Sequence, residues 1–549
     1  MVPVTRSHAL MNRRKFLRLS LASGALGYAA PALTASALRV AAFPAARPFE
    51  LDEATLTQLQ DGLARGKYSS VSLVKKYLAR IEEIDRRGPK LNSIIELNPD
   101  AVAIAGALDA ERRTRDVRGP LHGIPVLIKD NINTHDRMAT TAGSLALAGS
   151  IAPRDAFIVE KLRRGGAVIL GKTNLSEWAN FRGTLSTSGW SARGGQTRNP
   201  YILDRNPSGS SSGSAVAVAA NLCAVAVGTE TDGSILSPAS FNGIVGIKPT
   251  LGLLSRTGII PIAHSQDTAG PMARCVADAA MLLAALAGTD PQDEATISSH
   301  DRAQADYRPF LDPDGLRRSR IGVARIFFGA HPKVDALMES ALKEMQLLGA
   351  QFIDPIGLKK PSELDESEIE VLRYEMKADM NAYLATLGPR AQVRTLKEII
   401  AFNERRKAQE LSFFGQEELI NSEAKGPLTD KAYRDALATC RRLARTEGID
   451  AAMDQHQLDA IVAPTTTPAH VTDWVNGDHG LGASTTLAAV AGYPSITVPA
   501  GEVLGLPVGI SFFGRAWSEP ALLRIAFAFE QRTKARRSPR FLPTLSMER

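Results

Sequence analysis

The sequence predicts an α/β protein with one large core, and three observations support that prediction. The 549 residues are 44% hydrophobic and 22% charged, an ordinary balance for a globular protein. Short apolar runs typical of buried strands alternate with segments whose apolar residues recur at helical spacing. No internal repeat interrupts that alternation. Length alone suggests two or three domains, although α/β enzymes of this size often form one extended sheet.

The positions of the predicted elements follow from these patterns. The apolar runs predict strands at 124–128, 167–170, 222–227, 321–327, 460–463, 495–498 and 509–513. Helical spacing predicts helices over 276–287 and 332–348, and a last one near 522–529. Residues 362–447 are more charged and mainly helical, and we expect an excursion from the core that can cover the site. Residues 250–274 are rich in turn-forming residues.

The first 37 residues predict an export signal. Arg13 and Arg14 precede a mildly apolar stretch at 19–32, and small residues follow at 35–37. That order resembles a bacterial twin-arginine signal, with a disordered basic tail as the alternative. The stretch is too short and too rich in Gly, Ala and Ser to span a membrane comfortably. We therefore expect a periplasmic or secreted protein, with a linker at 38–50.

Charge and cysteine content remove the reasons to expect several other classes of protein. Residues 1–37 hold five cations and no acid, so without them the formal net charge falls from +7 to +2. A nearly neutral chain gives no reason to expect a nucleic acid or a membrane surface as partner. The three cysteines, at 223, 275 and 440, are far apart and show neither metal-ligand spacing nor a disulfide framework.

The stretch 222–240 carries the most chemical information. An apolar run predicts a strand at 222–227, and a Gly/Asp turn follows with Ser234 at its end. Gly228 and Gly233 allow a sharp bend, and successive backbone N–H groups in such a bend can bind an anion. A serine hydroxyl beside such donors can attack a carbonyl while the donors hold the oxyanion. Taken alone, the stretch is equally well explained as an ordinary turn.

Lys129 is the second candidate, because it directly follows the apolar run 124–128. It is therefore predicted at the carboxyl end of a buried strand, where α/β proteins place functional groups. A desolvated lysine has a lowered pKa and can act as a base. Taken alone, the residue is better explained as a lysine whose amine extends back to solvent.

Three formal motif matches do not hold. Ser211 is the centre of a GxSxG match, but prolines at 200 and 207 break the strand that a nucleophile elbow needs. The GKT sequence at 171–173 lacks the upstream glycine of a phosphate-binding loop. The SxxK match at Ser72 lies in an amphipathic helix without its companion motifs.

Two of the four tryptophans, Trp178 and Trp190, lie in the loop-like stretch 178–200. Glycine, serine and arginine surround them there. Such a composition suits the wall of a pocket, so we predict that both tryptophans bind substrate.

Three of these segments together resemble the amidase signature family of serine hydrolases. Lys129 lies in IPVLIKDNI, Ser210 opens the SS pair of a loop similar to the family's GGSSGGS, and Ser234 follows 24 residues later in GTETDGS. The similarity covers about residues 52–300 and 455–535. Because three motifs match in order and spacing, the signal is specific. We expect the family domain at 51–535 and a C-terminal tail at 536–549.

The resemblance implies both a fold and a mechanism. The implied fold is a single α/β/α domain with a mixed central sheet flanked by helices, with 362–447 as a helical insertion. Ser234 is the implied nucleophile, Ser210, after a cis Gly209–Ser210 peptide bond, relays the proton, and Lys129 is the base. Neither a cofactor nor a metal is implied. The oxyanion hole is assigned to the backbone N–H groups of Thr231, Asp232, Gly233 and Ser234.

Three residues depart from the family pattern. Glu230 stands where aspartate is usual, Asp232 where the first of two glycines is usual, and Leu236 where an arginine often sits. The last two are expected to change the floor of the site and the substrate range. The segments GTETDGSI, LSEWANFR and SGWSARGGQTRNPY resemble the peptide amidase branch, whose members release ammonia from C-terminally amidated peptides and amino-acid amides.

The expected partner is therefore a peptide or small-molecule amide. Aryl, fatty or cyclic amides and esters are alternative substrates within the same fold. The export signal suits an enzyme that meets external peptides, and argues against a component of the cytosolic tRNA-dependent amidotransferase. An exported solute-binding protein with two α/β lobes is the alternative from another class, and the oligomeric state stays open.

Overall fold

An 11-stranded mixed sheet forms the centre of the protein. The structure is a computed structural model that describes residues 48–114, 116–388, 391–480 and 482–545. In chain order the strands are β1 (Ile94–Leu97), β2 (Pro125–Lys129), β3 (Val168–Thr173), β4 (Trp190–Ser191), β5 (Gly195–Gln196), β6 (Val225–Glu230), β7 (Val245–Lys248), β8 (Thr268–Ala273), β9 (Arg320–Val323), β10 (Gln351–Ile353), β11 (Ala460–Pro464), β12 (Ser495–Val503) and β13 (Leu506–Phe513). Strands β4 and β5 form a separate pair, and the others lie side by side in the order β1-β3-β2-β6-β8-β7-β12-β13-β11-β9-β10.

Helices flank this sheet, as the sequence predicts. The α-helices are α1 (Leu56–Ala64), α2 (Ser70–Arg80), α3 (Ala101–Arg113), α4 (Phe157–Arg164), α5 (Ser212–Ala219), α6 (Leu236–Phe241), α7 (Val276–Leu286), α8 (Pro332–Leu347), α9 (Asp365–Thr386), α10 (Leu396–Arg405), α11 (Lys407–Glu410), α12 (Glu417–Glu423), α13 (Lys431–Arg441), α14 (Asp450–His456), α15 (Thr486–Ala491) and α16 (Glu519–Thr533). One apolar cluster joins strand residues such as Val126 and Val227 to helix residues such as Leu73, Leu282 and Phe529. The main core therefore lies between the sheet and its helices.

The predicted signal at 1–37 and most of the predicted linker at 38–50 lie outside the described residues. The chain divides into two units, Met1–Ala42 and Phe43–Arg549, and every described residue belongs to the second. No helix in the described ranges combines the length and the apolar character that crossing a bilayer requires. The boundaries of the signal, linker, domain and tail stay predictions.

Three neighbouring strands, β2, β3 and β6, carry the site. Strand β2 runs parallel to both of the others, and every residue of the three is buried. Strands covered on both faces are nearly continuous apolar runs, which is why the sequence predicts all three. The observed β6 starts three residues after the predicted start, because residues 222–224 lie in bends that follow α5.

The sequence prediction was wrong at β8; it also missed β1, β7 and β10, and it extended β9 over residues 325–327, which form a 3-10 turn. Residues 268–273 lie in the segment expected to be turn-rich, yet they pair antiparallel with β6 and β7. Gly270 and Pro271 make the strand hard to recognise in the sequence, since both residue types are depleted in strands. A side chain at position 270 would clash with the carbonyl oxygen of Ile247 on β7. Glycine is therefore what allows the two strands to approach.

Residues 362–447 form the helical excursion that the sequence predicts. They hold α9 to α13, and the described part of this segment contains no strand. Side chains of α9 and α10, among them Met376, Met380 and Ile399, share an apolar cluster with Leu175 and Ile260. The excursion therefore packs on the loop that follows β3 and on the loop that precedes β8.

A buried arginine attaches the excursion to the loop after β3. Arg182 Nη1 donates to Glu177 Oε1 at 2.6 Å and to the carbonyl oxygen of Glu410 at 2.7 Å. The guanidinium also lies over the Phe414 ring, 4.1 Å from its centroid. Burial, with the nearby charge of Glu177, raises the pKa of Glu410 to about 8. The raised pKa favours the protonated form of Glu410, and Glu177 is the closer carboxylate to the guanidinium, at 2.6 Å against 4.0 Å for Glu410.

Replacing Arg182 with Met should lower the free energy of unfolding by about 3–5 kcal/mol, because Glu177 is left as a buried, unpaired charge. Urea denaturation followed by circular dichroism measures the change. Arg405, which is exposed on α10, is the matched control, and its replacement by Met should change stability by no more than about 0.5 kcal/mol. Equal midpoints for the two variants would contradict the structural role of Arg182.

Candidate active site

Lys129 ends β2 and is fully buried. Its Nζ donates to Ser210 Oγ at 2.7 Å, to Thr229 Oγ1 at 2.8 Å and to the Thr229 carbonyl oxygen at 3.2 Å. Thr229 lies on β6, the parallel neighbour of β2, so the two strands bring their carboxyl ends together. The structure thus places Lys129 in direct contact with the predicted relay serine, although 81 residues separate the two along the chain.

Burial lowers the pKa of Lys129 to about 7, against the smaller opposing effects of the Asp267 and Glu230 charges. Removing an ammonium from water favours the neutral amine, since nothing in a buried site replaces its hydration in full. A large fraction of the protein therefore holds Lys129 as a neutral amine near neutral pH. That form can accept a proton from a hydroxyl group.

Ser210 lies in the loop that leads into α5. The Gly209–Ser210 peptide bond is cis, as the resemblance implies, and the Ser210 carbonyl oxygen accepts from the Ser176 N–H at 3.1 Å. A side chain at Gly209 would clash with Ser176 Oγ. The loop is thus held against the residues that follow β3, with the Ser210 hydroxyl turned to Lys129.

Ser211 has a different environment from Ser210. Its Oγ donates to the Thr229 carbonyl oxygen at 2.9 Å and accepts from the Thr229 N–H at 3.1 Å. Its backbone N–H donates to the Ser234 carbonyl oxygen at 3.0 Å, which joins the Ser210 loop to the Ser234 turn. Both hydrogen-bonding roles of the Ser211 hydroxyl are therefore occupied by strand β6, as suits a structural residue.

Ser234 lies in the turn between β6 and α6, with 7% of its surface exposed. Gly233 has φ of 73°, the left-handed conformation that glycine adopts without strain. Glu230 stabilises the turn, because its Oε2 accepts hydrogen bonds from the N–H groups of Ile235 at 2.7 Å and Leu236 at 3.0 Å. The longer glutamate, in place of the usual aspartate, therefore caps the start of α6.

The turn presents unused backbone donors. Within the described part of the chain, the N–H groups of Asp232, Gly233 and Ser234 have no acceptor. Three successive donors beside one serine form an anion-binding concavity. Such donors stabilise the oxyanion that forms when a hydroxyl attacks a carbonyl. These three N–H groups are among the four that the resemblance assigns to an oxyanion hole, and that role, like the part of the Thr231 N–H, stays a prediction.

Asp232 brings a carboxylate to the same turn. Its Oδ2 accepts from Thr486 Oγ1 at 2.6 Å, whereas Oδ1 is buried and has no partner among the described residues. Burial raises the pKa of Asp232. Burial, with the Asp232 charge next in size, also raises the pKa of Glu368 on α9 to about 8. A residue of the helical excursion therefore contributes to the electrostatics of the turn.

A cavity of about 330 Å³ opens beside Thr229 and Thr231. Its apolar wall comes from residues 259–262 and from Ala179. Ala179 is the middle one of three consecutive non-glycine residues with positive φ, at 49°, 53° and 77° for 178–180. Strain of this kind persists where surrounding structure imposes it, often at a functional site. The sequence predicts a pocket wall within 178–200, where Ala179 lies, but it does not predict the wall at 259–262, which carries no polar motif.

The two tryptophans lie in different surroundings. Trp178 is 2% exposed and packs in the apolar cluster under the excursion, while its neighbour Ala179 faces the cavity. Trp190 packs against Phe414, with ring centroids 5.2 Å apart, and lines a separate groove with Phe413 and Trp474. Neither indole is among the residues that line the cavity beside Thr231, and their part in substrate binding stays a prediction.

Lys172, the lysine of the GKT sequence, is a structural residue. It is buried on β3 and donates to the carbonyl oxygen of Ile132 and to Thr140 Oγ1. Burial lowers the pKa of Lys172 to about 8. The amine of Lys172 is thus held by acceptors of the protein itself. The three cysteines are free thiols.

Fold and site together define an enzyme of the amidase class. A family model described as Amidase matches residues 72–523, and the chain belongs to that family. A probable amidase of Arabidopsis thaliana is 43% identical over 504 residues, which cover 90% of this chain and 93% of the relative. A putative amidase of Schizosaccharomyces pombe is 37% identical over 525 residues, which cover 91% of this chain and 88% of that protein.

Solved structures give a more specific comparison. Native peptide amidase from Stenotrophomonas maltophilia is 54% identical, with a TM-score of 0.86, and the match covers 90% of this chain and all of that one (100%). An amidase family protein from Bacillus anthracis is 40% identical, with a TM-score of 0.80, over 88% of this chain and 92% of that chain. The protein is therefore a hydrolase that acts on amide C–N bonds, and it is structurally similar to peptide amidase.

Proposed function

We propose that the protein is a peptide amidase that removes the C-terminal amide of peptides or amino-acid amides as ammonia, with Ser234, Ser210 and Lys129 as its catalytic residues. The contact between Lys129 Nζ and Ser210 Oγ, at 2.7 Å, carries this proposal. Through this contact, a buried amine with a lowered pKa lies beside the hydroxyl group that would pass the proton on. The Ser211–Ser234 backbone hydrogen bond holds the Ser210 loop beside the Ser234 turn.

Acylation would begin with neutral Lys129. It accepts the proton of Ser210 while Ser210 accepts that of Ser234, and Ser234 Oγ forms a bond to the carbonyl carbon of the substrate. The carbonyl π electrons move to oxygen, and the free N–H groups of the turn stabilise the resulting negative charge. The C–N bond then breaks as the proton returns from Lys129 through Ser210 to the leaving nitrogen, which departs as ammonia.

Deacylation would use the same groups in reverse. Water gives a proton through Ser210 to Lys129 as its oxygen bonds to the acyl carbon. The second tetrahedral intermediate collapses, the bond to Ser234 Oγ breaks, and that oxygen regains its proton through the relay. The products are a carboxylic acid and the regenerated serine, so acylation and deacylation together consume only the amide and one water molecule.

Two observations support a peptide amide as the substrate. Peptide amidase, with which this chain shares 54% identity, has been solved in complex with the competitive inhibitor chymostatin. In this chain, the cavity of about 330 Å³ beside Thr231, which has an apolar wall at 259–262 and charged residues such as Arg256 and Asp379 elsewhere in its lining, has room for a small side chain or a short acyl group.

Replacing Ser234 with Ala should abolish ammonia release from amidated dipeptides while leaving the circular dichroism spectrum unchanged. The loss should reach at least about 10⁴-fold, since a covalent route needs its nucleophile. Ser211→Ala is the matched control. It loses contacts to β6 but keeps the nucleophile, so ammonia release should persist. Substantial turnover by the Ser234 variant would contradict the role of Ser234. Turnover of anilides or fatty amides, with no ammonia from amidated dipeptides, would contradict the substrate class.

The pH dependence of kcat/KM should report Lys129. Its pKa is lowered to about 7 by burial, and the base is the neutral form, so activity should rise with pH through about 7 and fall below it. Initial rates of ammonia release from pH 5 to 9 measure this limb. Lys129→Ala should lose most activity on amides, with less effect on an activated ester that needs no proton for its leaving group. A flat profile from pH 5 to 9 would contradict the relay.

We also propose that the protein is exported through a twin-arginine route, on the basis of residues 12–37. Replacing Arg13 and Arg14 with Lys should keep the protein inside a bacterial cell, because such signals are recognised through the arginine pair. Fractionation of periplasm and cytoplasm, with amidase activity as the readout, measures the distribution. Lys15→Arg keeps the charge outside the pair and is the control. Equal export of both variants would contradict the proposal.

A further inference from the structure

Asp267 holds the first residue of the Ser234 turn. It immediately precedes β8, and since Glu230 pairs with Thr268, it lies across from Thr231. Its Oδ1 accepts from Thr231 Oγ1 at 2.6 Å. Its Oδ2 accepts from the N–H groups of Ile262 at 2.8 Å and Ala263 at 2.9 Å. One carboxylate thus joins the turn to the loop that forms the apolar cavity wall.

The carboxylate of Asp267 makes both sets of contacts as an acceptor. Every partner of Asp267 named above donates a hydrogen bond, so both side-chain oxygens must accept. An asparagine has one oxygen and one NH₂ group, and the NH₂ would face either the Thr231 hydroxyl or the two backbone N–H groups. The Asp267→Asn substitution keeps size and shape, yet it removes the charge, and an NH₂ group that faces Thr231 reverses the hydrogen bond, because the hydroxyl must then accept.

The loop that carries Asp267 is itself fixed to the helical excursion. Three consecutive residues of this loop donate hydrogen bonds to acidic side chains on one face of α9. The donors and acceptors are Gln266 Nε2 to Glu368 Oε1 at 2.8 Å, the Ser265 N–H to Glu375 Oε2 at 2.9 Å, and the His264 N–H to Asp379 Oδ2 at 2.9 Å. Gln266 Nε2 also reaches the Thr231 carbonyl oxygen at 3.3 Å. Thr231 is therefore held by its side chain and its backbone to a loop that α9 supports.

We propose that Asp267 is a positioning residue that orients the oxyanion-binding turn through the Thr231 hydroxyl. The proposal rests on the proposed function and deepens it, because it explains how the donors at 232–234 are aimed. Residue 231 precedes those donors directly, so a shift of its Cα would rotate the peptide planes that carry them. The helical excursion contributes to catalysis by fixing the loop from its far side.

This role predicts a kinetic signature. The donors contact an oxygen whose negative charge develops on the way to the tetrahedral intermediate, so misaiming them raises the activation barrier more than it weakens substrate binding. A misplacement of about 1 Å in a catalytic group can reduce the rate by about 10²-fold. Asp267→Asn should therefore lower kcat by about 10- to 100-fold while KM changes by less than about 3-fold.

Affinity for a tetrahedral mimic separates positioning from a general loss of structure. A peptide aldehyde adds to Ser234 and presents an oxyanion to the turn, whereas the corresponding peptide alcohol forms no such adduct. The Asp267→Asn variant should bind the aldehyde more weakly by the same factor as the loss in kcat, and bind the alcohol as the wild type does. Equal aldehyde affinities in the two proteins would overturn the proposal.

Asp278 provides the matched control. Like Asp267, it is buried and accepts a backbone N–H, that of Leu56, with both oxygens. Burial raises the pKa of each carboxyl to about 6. Asp278→Asn should lower Tm, yet leave kcat and aldehyde affinity unchanged, since α7 takes no part in the turn. An equal loss of kcat in both variants would show that Asp267 acts through overall stability.

Thr231→Val removes the hydroxyl partner and keeps the shape of the side chain. It should reproduce the loss in kcat, and the double variant with Asp267→Asn should lose no more than the larger single effect. If Asp267→Asn fails to fold, Thr231→Val carries the test with the same aldehyde and alcohol pair. Additive losses would contradict a route through the Thr231 hydroxyl.

The pH profile gives a readout that structural damage does not move. The charges of Asp267 and Glu230 oppose the effect of burial on Lys129 and raise its pKa. Removing the Asp267 charge should therefore shift the acid limb of kcat/KM to lower pH, whereas Asp278→Asn should leave it in place. An unshifted limb together with wild-type kcat overturns the proposal. Activity retained by Ser234→Ala would instead overturn the proposed function.

Discussion

The burial of one amine governs the rest of this structure. Lys129 has no exposed surface, and an isolated ammonium in such a place would be strongly unfavourable. The protein meets that constraint by surrounding Nζ with oxygen acceptors from Thr229 and Ser210. The Lys129 ammonium can also lose its proton, since burial brings the pKa of Lys129 to about 7. The same desolvation that makes the site costly thus gives Lys129 the lowered pKa that the proposed base needs.

The sheet brings the site together because parallel strands end at one edge. Strands β2 and β6 are neighbours, so Lys129 and Thr229 meet across them. The loop before α5 crosses that edge and delivers Ser210, while the turn after β6 delivers Ser234 and its free N–H groups. Antiparallel β8 then returns along β6 and places Asp267 against Thr231. The topology of the sheet, and not nearness in the sequence, thus brings each of these residues close to its partners.

The sequence predicts those parts of the site that local motifs encode. Lys129 after an apolar run, the serine loop at 210 and the turn at 234 are each recognisable, and their order indicates the family. Strand β8 is hidden because Gly270 and Pro271 serve close strand packing and contradict strand propensity. Asp267, Glu368 and the left-handed run at 178–180 are hidden for another reason. Their roles depend on contacts with residues far away in the chain, which no local pattern records.

The central claim is that the hydroxyl of Ser234, and no other, attacks the substrate. Intact-mass measurement after incubation with a serine-reactive phosphonate, followed by peptide mapping, tests it most directly. We predict a single adduct on Ser234 in the wild-type protein. An adduct on Ser211, or a protein that stays unlabelled under conditions that inactivate other serine amidases, would contradict it.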